Sequence, residues 1–298
     1  MAENKQQKKR RRRLGDRKDG RKIRTMCPIN YISPYVMVDR NDASNYIANR
    51  IDTARMDEYV RQKQKEGLVG FSPLHVFIAA YTRVVSQLPG INRFINRQKI
   101  FARNNIEVVL TIKREMSLNA DETVVKIYPE PDFTAKQVYE QMTNVINENR
   151  GNDNESNLDS TIKVLNYIPG LLLKFSVWFL KTLDYFGLLP KFLLKVSPFH
   201  GSLVITSMGS LGIPPIYHHL YNFGNVPLFI SYGAKYRENV LNKDGKVERH
   251  SYIDYKIVTD ERICDGHYYA AALKKLNYYL KHPHLLDEPP EKVVEDIE

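Results

Sequence analysis

The chain has 298 residues, 43% of them hydrophobic, and a formal net charge of +10. This length and apolar content are enough for a globular core, which excludes a protein that is disordered throughout. Two cysteines are too few for a disulfide framework, and no histidine or cysteine has metal-ligand spacing, so no metal site is expected.

Most of the positive charge lies at the amino-terminal end. Residues 1–24 contain 12 Lys or Arg against three acidic residues, which leaves the rest of the chain almost neutral. Because runs of like charge such as Lys8 to Arg13 repel one another, we predict a disordered basic tail over residues 1–24. The neutral body offers no footprint for nucleic acid, and the tail lacks the apolar stretch of a secretory signal. A cytoplasmic protein is expected.

The first half of the chain alternates between helical and strand patterns. Residues 35–38 predict a strand, 43–65 a helix, 72–87 a second helix, 106–113 and 123–127 paired strands, and 134–149 a third helix. Polar residues 151–160 predict a loop.

Residues 167–199 are rich in Leu and Phe and contain Trp178, with four lysines spaced along the segment. Gly187 and Pro190 divide it, so we predict an insertion of two short amphipathic helices. No window reaches the roughly 18 uncharged apolar residues of a membrane span. One interpretation is a helical pair packed on the body or in a subunit interface, and the other is contact with a membrane surface.

The last third returns to strands at residues 202–206, 226–232 and 252–259, with a turn at 242–245. A final helix over 265–281 has the core stripe Tyr269, Ala272, Leu273, Leu276 and Leu280. The acidic end, 287–298, is expected to be solvated. Mixed strands and helices without a Gly-rich phosphate loop predict one two-layer α/β domain with a mixed β-sheet over residues 25–286.

Three local motifs resemble a known family: residues 71–74 with 88–92, residues 201–209, and residues 260–266. The chain is similar in these to the catalytic core of the dihydrolipoyl acyltransferases of 2-oxo-acid dehydrogenase complexes, whose fold the chloramphenicol acetyltransferases share. The resemblance implies a homotrimer with active sites between subunits. It also implies direct transfer of an acyl group from acyl-coenzyme A, as co-substrate, to a small acceptor.

The resemblance also implies roles for individual residues. The hydroxyl that stabilises the tetrahedral oxyanion falls on Thr206, with Ser207 and Gly209 beside it as coenzyme A contacts. The aspartate that holds local structure by pairing with an arginine falls on Asp265. The family's histidine base is replaced by Glu261, which makes the catalytic activity of this chain an open question.

A glutamate is a weak base for a thiol acceptor. The two pKa values differ by about four units, or roughly 5–6 kcal/mol, unless burial raises that of Glu261. The alternative for Glu261 is a salt bridge, for example with Arg262. Another source of the base is the adjacent pair His218 and His219, since imidazole titrates near neutrality. The alternative for this pair is packing at a subunit contact, and His267 is a further candidate.

The sequence supports two hypotheses about function. The first is a free-standing acyltransferase, since the sequence has no lipoyl attachment site, no subunit-binding domain and no Ala-Pro linker. The second is a non-catalytic trimeric scaffold or ligand-binding relative that docks on a membrane or a protein partner through residues 167–199 and the basic tail. In the second case the protein would be peripheral to the membrane.

Overall fold

The structure is a computed structural model that describes residues 12–113, 122–151 and 169–298. The first part of the predicted basic tail, residues 1–11, lies outside the described residues, as does nearly all of the predicted loop at 151–160.

The described chain forms ten strands and seven helices, besides short 3₁₀ turns. The strands are β1 (Gly20–Lys22), β2 (Ser44–Asp52), β3 (Arg93–Asn96), β4 (Lys99–Arg103), β5 (Val108–Lys113), β6 (Glu122–Ile127), β7 (Leu203–Ser207), β8 (Leu228–Tyr232), β9 (Tyr236–Leu241) and β10 (Val247–Asp260). The helices are α1 (Pro28–Val36), α2 (Ala54–Lys65), α3 (Pro73–Gln87), α4 (Ala135–Gly151), α5 (Gly170–Tyr185), α6 (Lys191–Val196) and α7 (Gly266–Lys281).

The strands form two sheets. The main sheet has the order β2-β10-β8-β7-β5-β6, and β9 pairs with the free part of β10. Strand β7 runs parallel to both β5 and β8, whereas the other pairs are antiparallel. The prediction of a mixed sheet is therefore confirmed. A smaller sheet has the order β1-β4-β3.

One face of the main sheet carries the core. Ile205, Ile230 and Ile257 occupy matching positions on neighbouring strands and pack with apolar residues of α2, α3, α4 and α7. Because side chains alternate along a strand, Val204 and Phe229 point to the opposite face. There they form a small cluster with Val258 and Leu220. The domain thus has two layers, with most of its helices on one side of the sheet.

Helix α3 lies at the centre of the core, and its sequence explains its limits. Pro73 occupies the first turn, and Ser72 and His75 form a reciprocal capping box at the amino-terminal end. Pro89 and Gly90 follow in a 3₁₀ turn that ends the helix.

Two predicted elements near the amino-terminal end are wrong. The sequence predicts a strand over residues 35–38, but 35 and 36 end helix α1. The helix predicted over 43–65 begins only at Ala54, because residues 44–52 form β2. Strand β2 pairs with β10 along its whole length, from Ser44 opposite Asp260 to Asp52 opposite Tyr252. Pairing with a distant strand has overridden the local helical pattern.

The predicted tails at both ends are also corrected. Residues 12–24 are folded, since β1 pairs with β4 and Ile23 is 1% exposed. At the other end, Asp296 forms an ion pair of 2.5 Å with Arg93, and the Val294 amide donates to the Ser86 carbonyl. The acidic end therefore packs on the body and is not a solvated tail.

The insertion forms two helices as predicted, α5 and α6, with Gly187 and Pro190 between them. In the ranges that the structure covers, none of the helices has the length and apolar character needed to cross a membrane.

Candidate functional site

A cleft of about 530 Å³ opens at the end of β7, between the main sheet and the helices α3 and α4. Strands β5, β7 and β8 are parallel, so their carboxyl ends meet at this edge. The apolar side of the cleft is formed by Leu74, Leu110, Met142, Ile146, Ile205 and Ile253. Its polar groups are Ser72, Thr111, Thr206, Ser207, Ser210, Tyr232, Lys235 and Asp57. The volume is in the range of small-molecule sites.

Three of the predicted site residues, Thr206, Ser207 and Gly209, line this cleft. Ser207 ends β7 and hydrogen-bonds with Tyr232, whose pKa burial raises to about 12. A Cβ at Gly209 would come within 2.8 Å of the Gly233 carbonyl oxygen, so the position admits only glycine without rearrangement. The close packing of the turn after β7 against Gly233 therefore holds the backbone at the opening of the cleft in place.

The hydroxyl of Thr206 is available to a ligand. Leu203 and Ile205 point into the core, so the Thr206 side chain lies on the opposite face of the sheet, and Thr206 borders the cleft because it stands at the end of the strand. Within the described residues the Thr206 hydroxyl has no hydrogen-bond partner. An unpaired hydroxyl at a strand end can donate to a carbonyl oxygen on which negative charge develops.

The amino-terminal end of α3 borders the same cleft through Ser72. The Ser72 amide donates to His75 Nδ1 at 3.0 Å, and the imidazole stacks on Phe71 with 5.1 Å between ring centroids. Burial lowers the pKa of His75 to about 4. His75 is thus a neutral capping residue in the core, and it does not line the cleft.

The charged groups that line the cleft are Lys235 and Asp57, which form an ion pair of 2.9 Å at the rim. Asp57 also accepts a hydrogen bond from Thr53. Since half of the Lys235 side chain remains exposed, the ammonium can reach an anionic group at the mouth. None of the described residues that line this cleft is a histidine. The cleft can therefore hold an apolar acyl chain and a carbonyl, but it supplies no general base of its own.

His218 and His219 lie in the loop before β8, on the face of the sheet opposite the core. The His218 ring stacks on Phe229 at 4.3 Å, and its Nδ1 donates to the His219 carbonyl at 2.8 Å. In the neutral form this leaves Nε2 as a proton acceptor. Phe229 pairs with Val204, two residues before Thr206, so the Cα atoms of Phe229 and Thr206 are roughly 8 Å apart, and the His218 ring lies against Phe229. His219 is exposed and stacks on His218.

Glu261 does not approach Thr206 within one chain. It follows β10 at the opposite end of the sheet, roughly 19 Å away by strand spacing and residue rise. Its carboxylate is exposed and accepts a hydrogen bond of 3.0 Å from Asn45. The salt bridge with Arg262 considered above is not formed, because Arg262 pairs with another residue.

That residue is Asp260, which the sequence reasoning missed. Asp260 is fully buried and pairs with Arg262 at 2.7 Å and Arg40 at 3.3 Å. Asp265, for which an arginine partner was expected, instead accepts a hydrogen bond from the Tyr268 amide and caps α7. The sequence signal that could have identified this ion pair is the aspartate at the start of the motif at residues 260–266, with an arginine two positions later. His267 is exposed in the first turn of α7.

No histidine, cysteine or carboxylate cluster suited to a metal ion occurs among residues 12–113, 122–151 and 169–298.

Comparison with known proteins gives matches in structure only. No family model matches the sequence, and no curated protein matches it significantly. A probable dihydrolipoamide acetyltransferase from Listeria monocytogenes aligns over 87% of this chain and 95% of its own, with a TM-score of 0.54 and 14% identity. Dihydrolipoamide acetyltransferase from Azotobacter vinelandii, studied for the catalytic roles of a serine, a histidine and an asparagine, aligns over 88% and 93%, with a TM-score of 0.56 and 10% identity.

A third match is the truncated catalytic core of the 2-oxoacid dehydrogenase complex from Thermoplasma acidophilum. It aligns over 88% of this chain and 98% of its own, with a TM-score of 0.51 and 12% identity. At these identities the likeness shows the fold. The predicted resemblance to acyltransferase cores and the predicted α/β architecture are confirmed at that level.

Proposed function

The chain has the fold of dihydrolipoyl acyltransferase cores, and from this premise we propose that it transfers an acyl group from acyl-coenzyme A to a small acceptor. The observation that carries the proposal is the position of Thr206 at the end of β7, beside a largely apolar cleft of about 530 Å³, with a hydroxyl that has no hydrogen-bond partner among the described residues. Such a cleft suits an acyl-thioester arm. Lys235 at its rim supplies a cation for the phosphates of coenzyme A.

The proposed reaction is a direct transfer. A base takes the proton of the acceptor, whose sulfur or nitrogen then forms a bond with the thioester carbonyl carbon. The carbonyl oxygen gains negative charge and accepts a hydrogen bond from Thr206. When the carbon–sulfur bond breaks, coenzyme A leaves as a thiolate, and this thiolate takes the proton from the protonated base. Ser207 and Gly209 shape the pocket beside the reacting carbonyl.

We assign the base to His218, with His219 as its neighbour, because His218 lies on the same sheet face as Thr206. Glu261 can act at Thr206 only from another copy of the chain, since the two are roughly 19 Å apart within one copy. A homotrimer with sites between subunits would allow this. The proposed location is the cytoplasm, where the two free cysteines would remain reduced.

The test is release of coenzyme A from short acyl-coenzyme A esters, with dihydrolipoamide or simple amines as acceptors. Chromatographic detection is required, because thiol reagents would also react with the acceptor. Thr206→Val should lower kcat by about 10²–10³, while Thr111→Val, on another strand of the same cleft, should retain near-normal activity. His218→Ala, His219→Ala and Glu261→Gln then identify the base.

An experiment that mixes two inactive variants distinguishes a base from the same chain, His218, from a base supplied by another copy, Glu261. If Glu261 acts across a subunit boundary, Thr206→Val and Glu261→Gln chains mixed during refolding should recover activity. Turnover that is equal in wild type and Thr206→Val would contradict the proposed role of that hydroxyl.

The second candidate is a ligand-binding scaffold without turnover. It is favoured by one observation, namely that Lys235 and Asp57, the charged groups that line the cleft among the described residues, pair with each other. Calorimetric binding of coenzyme A without turnover would support this candidate. The absence of both binding and turnover would overturn the acyltransferase proposal.

A further inference from the structure

Helix α5 has an unusual exposed face. Among its residues only Asp184 is buried. We define the aromatic face as Leu171, Phe175, Trp178, Phe179 and Phe186; Leu171 is 86% exposed, Trp178 57% and Phe179 48%. Spacings of three, four and seven residues place these side chains on one side of the helix. A cluster of large apolar side chains of this kind marks a contact surface.

The charges around the aromatic face are positive. Lys174 and Lys181, seven residues apart, lie along one edge of it and are exposed. Lys191 and Lys195 on α6 are exposed as well, and Phe192 between them is 65% exposed.

The acidic residue of this helix pair, Asp184, contributes no surface charge. Its carboxylate forms an ion pair of 2.8 Å with Arg17 and lies 3.4 Å from His200 Nε2. All the exposed formal charge of α5 and α6 is therefore cationic.

The basic amino-terminal segment joins the fold at the same place. Arg17 donates to the carbonyl oxygen of Asp184 at 2.7 Å, and Lys18 donates to the Leu189 carbonyl at 2.9 Å. Arg12 and Arg13 precede this attachment within a few residues, and five further Lys or Arg precede them in the sequence. Arg17 and Lys18, which follow the basic run in the sequence, thus contact the carboxyl end of α5 and the segment after it, about 170 residues away in sequence.

We propose that the aromatic face of α5 docks on the surface of an anionic lipid bilayer. Aromatic and leucine side chains enter the headgroup boundary, while the lysines along the edge meet lipid phosphates. Stable attachment takes two signals, and here an apolar helix lies beside the attachment of a polybasic segment. A second copy of the chain is the less favourable occupant, since a symmetric contact would bring the same lysines together.

Trp178 provides the assay, because it is the one tryptophan of the sequence and lies on the aromatic face. Vesicles of phosphatidylcholine with about 30% phosphatidylserine should shift its emission to shorter wavelength. Brominated acyl chains should quench it. Vesicles of phosphatidylcholine alone, or phosphatidylserine vesicles in high salt, should give a much weaker response.

Variants with matched controls test the two contributions. Phe175→Ser with Phe179→Ser should lower vesicle partitioning about tenfold or more, whereas Leu241→Ser, at an exposed hairpin position, should not. Lys174→Gln with Lys181→Gln should lower it roughly fivefold per lysine, about 25-fold together. The control for charge is Lys243→Gln with Lys246→Gln in the hairpin turn.

Two results would overturn the proposal. One is no shift of Trp178 emission and no sedimentation with anionic vesicles. The other is a Trp178 already shielded from a soluble quencher without lipid, together with a mass that falls when Phe175 and Phe179 are replaced, because a second copy would then cover the face. Since the assay measures lipid binding alone, its failure leaves the acyltransferase proposal unaffected.

Discussion

Replacing Asp260 by asparagine should destabilise the protein strongly. The Asp260 carboxylate is fully buried and pairs with two guanidinium groups that are themselves almost fully buried, Arg262 and Arg40. The amide side chain would keep the shape but leave these cations without a countercharge. Breaking a buried pair on one side costs about 3–5 kcal/mol. At about 2 °C per kcal/mol for a chain of this size, the melting temperature should fall by roughly 6–10 °C.

The matched control is Glu261→Gln at the next residue, where the side chain is exposed and makes one hydrogen bond with Asn45. That change should move the free energy of unfolding by no more than about 0.5 kcal/mol. Thermal unfolding followed by circular dichroism compares the two variants. A melting temperature of Asp260→Asn within about 2 °C of that control would refute the reasoning that the first aspartate of the motif is a structural anchor.

Three further outcomes are expected. Burial raises the pKa of Cys264 to about 12, so a thiol reagent should titrate Cys27 quickly and Cys264 only after unfolding. Gly224→Ala should prevent folding or severely lower the melting temperature, because φ is +84° and the new Cβ would overlap the Phe199 carbonyl; Gly245→Ala, at φ +75° in open space, should cost only about 1 kcal/mol. Burial alone would raise the pKa of Asp184, but the His200 ring, 3.4 Å away, and the ion pair with Arg17 hold it below the usual value. Its stabilising contribution is therefore present above about pH 4 and lost at lower pH, so urea midpoints of wild type and Asp184→Asn should differ at pH 7 and converge in acid.

Local patterns in the sequence were sufficient for the elements whose core faces are periodic. Helix α7 shows this, because Tyr269, Ala272, Leu276 and Leu280 are buried as predicted and Leu273 is partly buried. The turn at residues 242–245 and the pairing of β5 with β6 follow from equally local signals. The position of Thr206 near a strand end can likewise be predicted, because an apolar run precedes it and Gly209 follows it.

Contacts between segments that are distant in sequence could not be predicted from local patterns. Strand β2 has no strong alternation of its own and is a strand because β10 pairs with it. The ion pairs of Arg17 with Asp184 and of Arg93 with Asp296 join residues about 170 and 200 positions apart. A charge run looks solvated in sequence until a buried partner is found for it, which is why the sequence predicts solvated or disordered tails at both ends.

The two ends of the described chain lie against each other. The Arg24 amide donates to the Glu298 carbonyl, and Arg13 forms an ion pair of 3.4 Å with the Glu298 carboxylate. These contacts do not involve the exposed turn around Lys243, so an insertion in that turn would leave them in place. A reporter domain is therefore better inserted in that turn than next to Arg13 or Glu298, where it would compete with their contacts.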